Sequence, residues 1–279
     1  MRIALILVRH LVERESPIMP EVARLLSERG VDVDRLYPDE EAVDLGRVRV
    51  QHDLYVLKSG TETALSLAGA LHGSGANILN PYPVAAACRD KVLTTHALHR
   101  AGVPLPDSYV AARPQQLEPL LAEGALVVKP SRGSQGRGVR VVRTAEELAE
   151  VEAGGAPVLA QRYHEPNGRD RKLYRIGEQV FGVKRTWPAR TYEDKLGEPF
   201  PVSEELREIV WRCGTALGID LYGVDVIESD RPYVVDMSSF PGFKGVPDAA
   251  ALLADYIYEA GRRALEGVAP PSARVPVPA

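Results

Sequence analysis

The chain has 279 residues, 45% of them hydrophobic and 26% charged, with a net charge of −4. That balance describes a globular protein with a full core and one to three domains, and the lack of a basic excess argues against a nucleic-acid surface. The opening apolar run MRIALILV is too short for a signal segment and no membrane-length apolar stretch follows it, so a soluble, cytoplasmic protein without membrane contact is expected.

Residues 3–8 form a continuous apolar run of strand length. Pro20 and Gly30 bracket a helix over 21–29 whose Val22, Leu25 and Leu26 share one face. Strands at 31–36 and 53–57, a helix over 61–71 and a short apolar pair at 78–79 continue the alternation. It predicts a small parallel sheet covered by helices over residues 1–85. A single helix over 83–101 follows, stopped by Gly102, Pro104 and Pro106. The pattern then gives a strand at 109–111, a helix over 115–122, a strand at 126–129, a glycine loop and a strand at 139–142. Thr144 and Glu147 have capping-box spacing for a helix over 146–152.

The last part starts near 158. Strands at 173–176 and 179–184 flank Gly177-Glu178, a hairpin signal. Ser203 can cap a helix reaching Leu217, whose face includes Leu206, Ile209, Val210 and Cys213. Strands at 221–227 and 233–237 and a helix over 249–265 complete the fold. The proline-rich end APPSARVPVPA reads as disordered. The domains so predicted are 1–85, 86–160 and 161–268, with a tail over 269–279.

The richest motif is VVKPSRGSQGRGV, residues 127–139. A strand delivers Lys129 into a loop with glycines at 133, 136 and 138. Such a loop can lay backbone N–H groups against phosphate oxygens, and a lysine beside it adds fixed positive charge. The two cysteines, Cys88 and Cys213, lack metal-ligand spacing, and the six histidines show no HExxH pattern. Neither zinc chemistry nor a covalent nucleophile is indicated.

Four elements stand in order: Arg89-Asp90-Lys91; the Lys129 strand with its glycine loop; Gln161-Arg162-Tyr163-His164-Glu165 followed by GRDRKLYRIG; and GVDVI leading to VVDMSSFPGFKGV. Their order and spacing resemble the ATP-grasp superfamily over nearly the whole chain, and KPSRGSQGRGV with RDK is most similar to the RimK-like carboxylate–amine ligases. The resemblance implies α/β and α+β architecture: an N-terminal small parallel-sheet domain and two lobes that clasp ATP. It implies ATP and Mg²⁺ as cofactors, and an acyl phosphate formed before an amine displaces phosphate. The substrate would be a small molecule or a peptide; self-association is common in such families, and no interface is legible here.

Residue by residue, Lys91 and Lys129 match the phosphate-contacting lysines. Ser134, Gln135, Gly136 and Gly138 fall on the loop that would close over the phosphates. Gln161, Arg162, Tyr163 and His164 match the strip that holds adenine by backbone groups, and Asp170 the acidic residue near the ribose. Asp225, Asp236 and Ser238 match the metal site, where the family has Glu and Asn in place of the last two. One tightly held Mg²⁺ with a weaker second is therefore expected. Arg185 matches the basic residue facing the transferred phosphoryl group, and Lys172 stands where those ligases have arginine. The C-terminal part also resembles the inositol trisphosphate 5/6-kinases. In that alternative, Lys58 and Lys172 would grip substrate phosphates and a hydroxyl would attack directly. A cluster of Lys58, Lys172, Lys184 and Arg185 could bind a polyphosphate or equally a polycarboxylate, and Lys58 and Lys184 are expected to bind substrate.

Overall fold

A computed structural model describes residues 1–9, 18–133, 136–152, 154–186, 191, 194 and 196–268. The N-terminal sheet is parallel, in the order β2-β1-β3-β4, formed by β1 (Arg2–Ile6), β2 (Asp32–Leu36), β3 (Leu54–Leu57) and β4 (Ile78–Leu79). Ile3 pairs with both Val33 and Leu54. Strand alternation sends Ile3 and Leu5 to one face, against α1 (Ile18–Glu28), and Ala4 and Ile6 to the other, against α2 (Glu62–Gly73). With both faces covered, β1 and β3 are apolar throughout, while edge strand β2 (DVDRL) keeps its charges at the surface.

The helix expected over 83–101 is two helices, α3 (Tyr82–Ala87) and α4 (Lys91–Arg100). Asp90 breaks it: its carboxylate accepts from the Val92 and Leu93 N–H groups at 2.9 and 3.3 Å. The Lys91 N–H leaves the helical ladder for the Ser131 carbonyl, at 2.8 Å. An N-cap in the middle of a helical pattern thus ties RDK to the glycine loop.

The central sheet is antiparallel, β5-β8-β6-β7, from β5 (Ser108–Ala111), β6 (Leu126–Pro130), β7 (Arg140–Val142) and β8 (Val158–Arg162). Strand β8 crosses the 160/161 boundary expected from the sequence and belongs by hydrogen bonding to this sheet. The helix expected over 115–122 is a 3₁₀ helix over Pro114–Glu123, because Pro119 within it has no N–H for an α ladder. Helix α5 (Ala145–Ala149) ends short of 152, where the Val151 N–H turns back onto the Leu148 carbonyl.

The C-terminal sheet, β11-β10-β9-β12-β13, is also antiparallel: β9 (Asp170–Ile176), β10 (Gln179–Arg185), β11 (Glu198–Phe200), β12 (Leu221–Glu228) and β13 (Pro232–Ser238). Strand β11 was not legible in the sequence. Helix α6 (Glu204–Leu217), capped by the Ser203 hydroxyl at the Leu206 N–H, covers one face with α4. Helix α7 (Ala249–Leu265) packs beside α1 and against the N-terminal sheet, so one hydrophobic cluster joins the two ends of the chain. Among the described residues no helix is long and apolar enough to cross a membrane. The tail over 269–279 lies outside the described residues.

Candidate active site

Strand pairing builds the C-terminal half of the site. Lys172 on β9 lies opposite Asp225 on β12, and Asp225 lies opposite Asp236 on β13. Directly paired residues point to the same face, so the three side chains form one row across three strands. Asp170 is two residues from Lys172 and pairs with Arg185, adding a second row on that face. Lys172 donates to one Asp225 oxygen at 2.8 Å and Arg185 donates to the other. Burial pushes the Asp225 carboxyl up, but these two cations outweigh it and hold the group below its ordinary pKa.

A β-bulge aims Asp236. Asp225 pairs with Asp236 but Val226 pairs with Val234, which leaves Val235 unmatched. Val234 and Met237 both enter the core beneath α6. In a regular strand with no bulge, residues 234 and 236 share a face, and Asp236 would be driven into that core. The bulge also frees the Val235 carbonyl, which accepts from Lys129 Nζ at 2.8 Å.

Lys129 comes from the central lobe and is 7% exposed. Its second acceptor is Gln161 Oε1, at 2.6 Å, and Gln161 Nε2 is anchored on the Ser108 hydroxyl at 3.1 Å. An ammonium has three donors, so one stays available. Burial, relieved by Asp236 and aggravated by Lys91, lowers the Lys129 pKa to about 8. Lys91, in the first turn of α4, donates to the Gly133 carbonyl at 2.7 Å. In the glycine loop, Gly136 and Gly138 have φ of +70° and +73°. A Cβ on Gly138 would stand 2.9 Å from the Pro130 ring, so the loop's return depends on glycine there. Ser134 and Gln135 lie outside the described residues.

Gln161 and Arg162 belong to β8, and Gln161 acts through its side chain on Lys129. Arg162 points away, donating to the Leu120 and Gly124 carbonyls and pairing with Glu123. The Arg162 and Tyr163 N–H groups are taken by the Asp107 and Ala125 carbonyls. His164 stacks on Tyr233, with ring centroids 4.1 Å apart. Asp170 is half-buried; burial, then the Asp225 charge, raise it to about 6 against Arg185.

Lys184 is not part of the cluster. It neighbours Arg185 on β10, so its side chain takes the opposite face, over the Phe200 ring. Among the described residues the Ser238 hydroxyl donates one long hydrogen bond, 3.5 Å to the Gly223 carbonyl. Lys58 leaves the N-terminal sheet and donates to the Phe240 carbonyl at 3.1 Å. The side-chain role of Gln161 and the Val235 carbonyl were missed from the sequence, where two adjacent valines fit an ordinary buried strand.

Among the described residues no three His, Cys, Asp or Glu side chains form a metal-binding group. Two carboxylates do converge. Asp225 is engaged once on each oxygen, leaving a further lone pair on each. The Asp236 carboxylate makes no hydrogen bond or ion pair with any described residue, and burial with the Asp225 charge beside it raises its pKa. That donor set fits a hard dication that takes its remaining oxygens from phosphate and water.

A family model described as the RimK-like ATP-grasp domain matches residues 88–257. The chain belongs to the RimK-like ATP-grasp family. Such a domain implies the use of ATP and Mg²⁺. The chain is 28% identical to the glutamate–LysW ligase ArgX of Sulfurisphaera tokodaii, over 93% of this chain and 99% of that one. It is 30% identical to a probable alpha-L-glutamate ligase of a Shewanella species, over 60% of each. The solved RimK-domain ATP-grasp protein of Sphaerobacter thermophilus shares the fold: TM-score 0.73 at 22% identity, covering 91% of this chain and 98% of that one.

Proposed function

We propose that this RimK-like protein is an ATP-dependent carboxylate–amine ligase, with an acidic amino acid such as glutamate as one substrate. The observation that carries the reading is the meeting of Lys129 from the central lobe with the bulge that aims Asp236. Phosphate-binding charge and a partnerless carboxylate from two different lobes thereby face one site. Lys91 and Lys129 hold the ATP phosphates, and the glycine loop excludes water that would hydrolyse an activated acyl group. Asp236, with Asp225, holds Mg²⁺, which neutralises phosphate charge when bound. Asp170 accepts from the ribose.

In the reaction a substrate carboxylate oxygen bonds to the γ-phosphorus and the bond to the β-phosphate oxygen breaks, releasing ADP. The amine nitrogen then bonds to the acyl carbon, loses a proton, and phosphate departs. Arg185 is placed to steady the negative oxygens of both steps: Asp225 fixes its position while its Nε is buried without a partner. The kinase alternative asked Lys58 and Lys172 to grip substrate phosphates together, but Lys172 is tied to Asp225. Phosphorus NMR with Mg·ATP, glutamate and pooled carboxylate and amine partners tests the reading. Equal amounts of ADP and free phosphate, requiring carboxylate and amine together, are expected. A new phosphoester without free phosphate would reject the ligase in favour of the kinase.

A further inference from the structure

The N-terminal sheet is covered unevenly. Its strands are all parallel, and parallel strands are joined by right-handed crossovers that usually carry a helix. Helix α1 makes the crossover from β1 to β2, and α2 the one from β3 to β4. The crossover from β2 to β3 passes over β1, and right-handedness puts it on the α2 face. Residues 37–53 make it without an α-helix, with one 3₁₀ turn at Leu45–Arg47. Where a second helix would lie beside α2, the structure has a cavity of about 510 Å³. Leu36 from β2, Tyr55 from β3, Leu67 and Leu71 from α2, and Val48 from the crossover line it. The crossover is pinned at both ends. Thr61, the N-cap of α2, donates to Asp39 at 2.8 Å, and Arg9 pairs with Glu40 at 3.2 Å. At the far end the Gln51 N–H donates to the Tyr55 hydroxyl at 3.0 Å, and His52 Nε2 lies 2.7 Å from Asp34.

Between those ties the crossover shows apolar side chains to water: Val43 at the cavity, then Leu45, 73% exposed, and Val50. An ordered irregular connection longer than about 15 residues is usually functional, and apolar side chains exposed around an apolar hollow mark a contact surface. The charges indicate the partner. Among the lining groups Glu40 is paired with Arg9, and Asp44 with Arg47 at 3.2 Å. Arg35 and Arg49 also line the cavity and pair with no carboxylate among the described residues, against Glu41 alone on the acidic side. We infer that this cavity is a docking groove for an amphipathic helix of another protein, apolar on the face it buries and acidic at its flanks. The incoming helix takes the place of the missing crossover helix, with its apolar side chains against Leu67 and Leu71 and its carboxylates on Arg35 and Arg49. The inference depends on no particular reaction at the catalytic row.

Selection of a displayed library of random peptides of helix-forming length on the immobilised full chain tests the groove, followed by fluorescence-polarisation titration of the enriched peptides. Enriched sequences are expected to carry large apolar residues at i, i+3 and i+4 with Asp or Glu between them. Their affinity should fall as salt is added. Leu45→Asp, and Arg35→Glu combined with Arg49→Glu, should each weaken binding about tenfold or more. The charge-reversed double variant should instead bind the same peptides with Lys in place of Asp and Glu. The three side chains are exposed, so melting temperature and Mg·ATP affinity should stay at wild-type values and separate loss of the groove from loss of the fold. The groove is overturned if no sequence is enriched, if the enriched peptides are basic, or if they bind Leu45→Asp as they bind wild type. A dimer in sedimentation that Leu45→Asp dissolves would reject the inference in favour of a second copy of this chain. Octanoate binding in the cavity where no peptide binds would reject it in favour of a small apolar anion.

Discussion

Lys129 Nζ donates to Gln161 Oε1 at 2.6 Å, a buried contact between neighbouring strands of the central sheet. With the Val235 carbonyl opposite, it fixes a flexible side chain that otherwise loses about 2 kcal/mol of rotamer entropy on being positioned. Gln161→Leu keeps the bulk and removes the acceptor, so Mg·ATP affinity should fall about tenfold, a loss near 1.4 kcal/mol. Lys129→Met should cost more. In the Lys129→Met background Gln161→Leu should cost nothing further, because the two residues act as one unit. Additive losses would show that Gln161 serves nucleotide binding by another route.

The same lysine makes nucleotide binding pH-dependent. Burial lowers its pKa to about 8, so the nucleotide-free chain loses this charge as pH rises through 8. Bound phosphates favour the protonated form and raise that pKa again. ATP should therefore bind more weakly above pH 8 and take up a fraction of a proton on binding there, measurable by calorimetry in buffers of different ionisation enthalpy. Lys129→Met should abolish the uptake. The folded state also binds fewer protons than the unfolded chain between about pH 8 and the ordinary lysine range near 10.4. Stability of the nucleotide-free chain should consequently rise, not fall, across that window.

Asp225 and Asp236 sit side by side and should respond in opposite directions. Asp225 is held ionised by Lys172 and Arg185, so its contribution is present above the ordinary carboxylate pKa and is lost as pH falls through the lowered value. Asp225→Asn strands two cations and should destabilise by about 3 kcal/mol, with partial rescue by Lys172→Met. Asp236 makes no hydrogen bond or ion pair with a described residue, and burial with the Asp225 charge raises its pKa despite the pull of Lys91, Lys129 and Lys172. Asp236→Asn should leave the metal-free melting temperature unchanged or higher, while turnover with Mg·ATP drops by about a hundredfold. A lower melting temperature for Asp236→Asn would mean that the carboxylate has a structural partner instead of a ligand role.

These relationships were unequally legible. The carboxylates and basic residues of the C-terminal sheet stood out because a charge in an apolar strand needs a reason, and period-two alternation puts Asp170 and Lys172 on one face. The same alternation separates Lys184 from Arg185, and should have excluded Lys184 from the cluster. The bulge at Val235 could not be read, since two adjacent valines fit an ordinary buried strand equally well. Nor could the break at Asp90, because helical periodicity runs through it and the competing partner, the Ser131 carbonyl, is forty residues away in sequence. Gln161 was assigned to nucleotide through its backbone because its side-chain partner comes from another strand. Long-range pairing of polar groups, unlike burial of apolar faces, leaves no local pattern.

Asp170 provides a test on the acidic side. Burial, reinforced by the Asp225 charge and opposed by Arg185, raises its pKa to about 6. An ionised carboxylate is the better acceptor for ribose hydroxyls, so Mg·ATP affinity should weaken as pH falls from 7 through 6 and level off below. Asp170→Asn removes the titrating group and should flatten that profile, with an affinity at pH 7 reduced by about fivefold, close to 1 kcal/mol. Folding should respond too. Between its ordinary pKa and 6 the folded chain binds more protons than the unfolded one, so this group weakens stability as pH rises across that interval. Asp170→Asn should thus raise the melting temperature at pH 7 while lowering nucleotide affinity. An affinity profile in the variant that still bends near pH 6 would assign the titration to another group and remove Asp170 from the ribose side of the site.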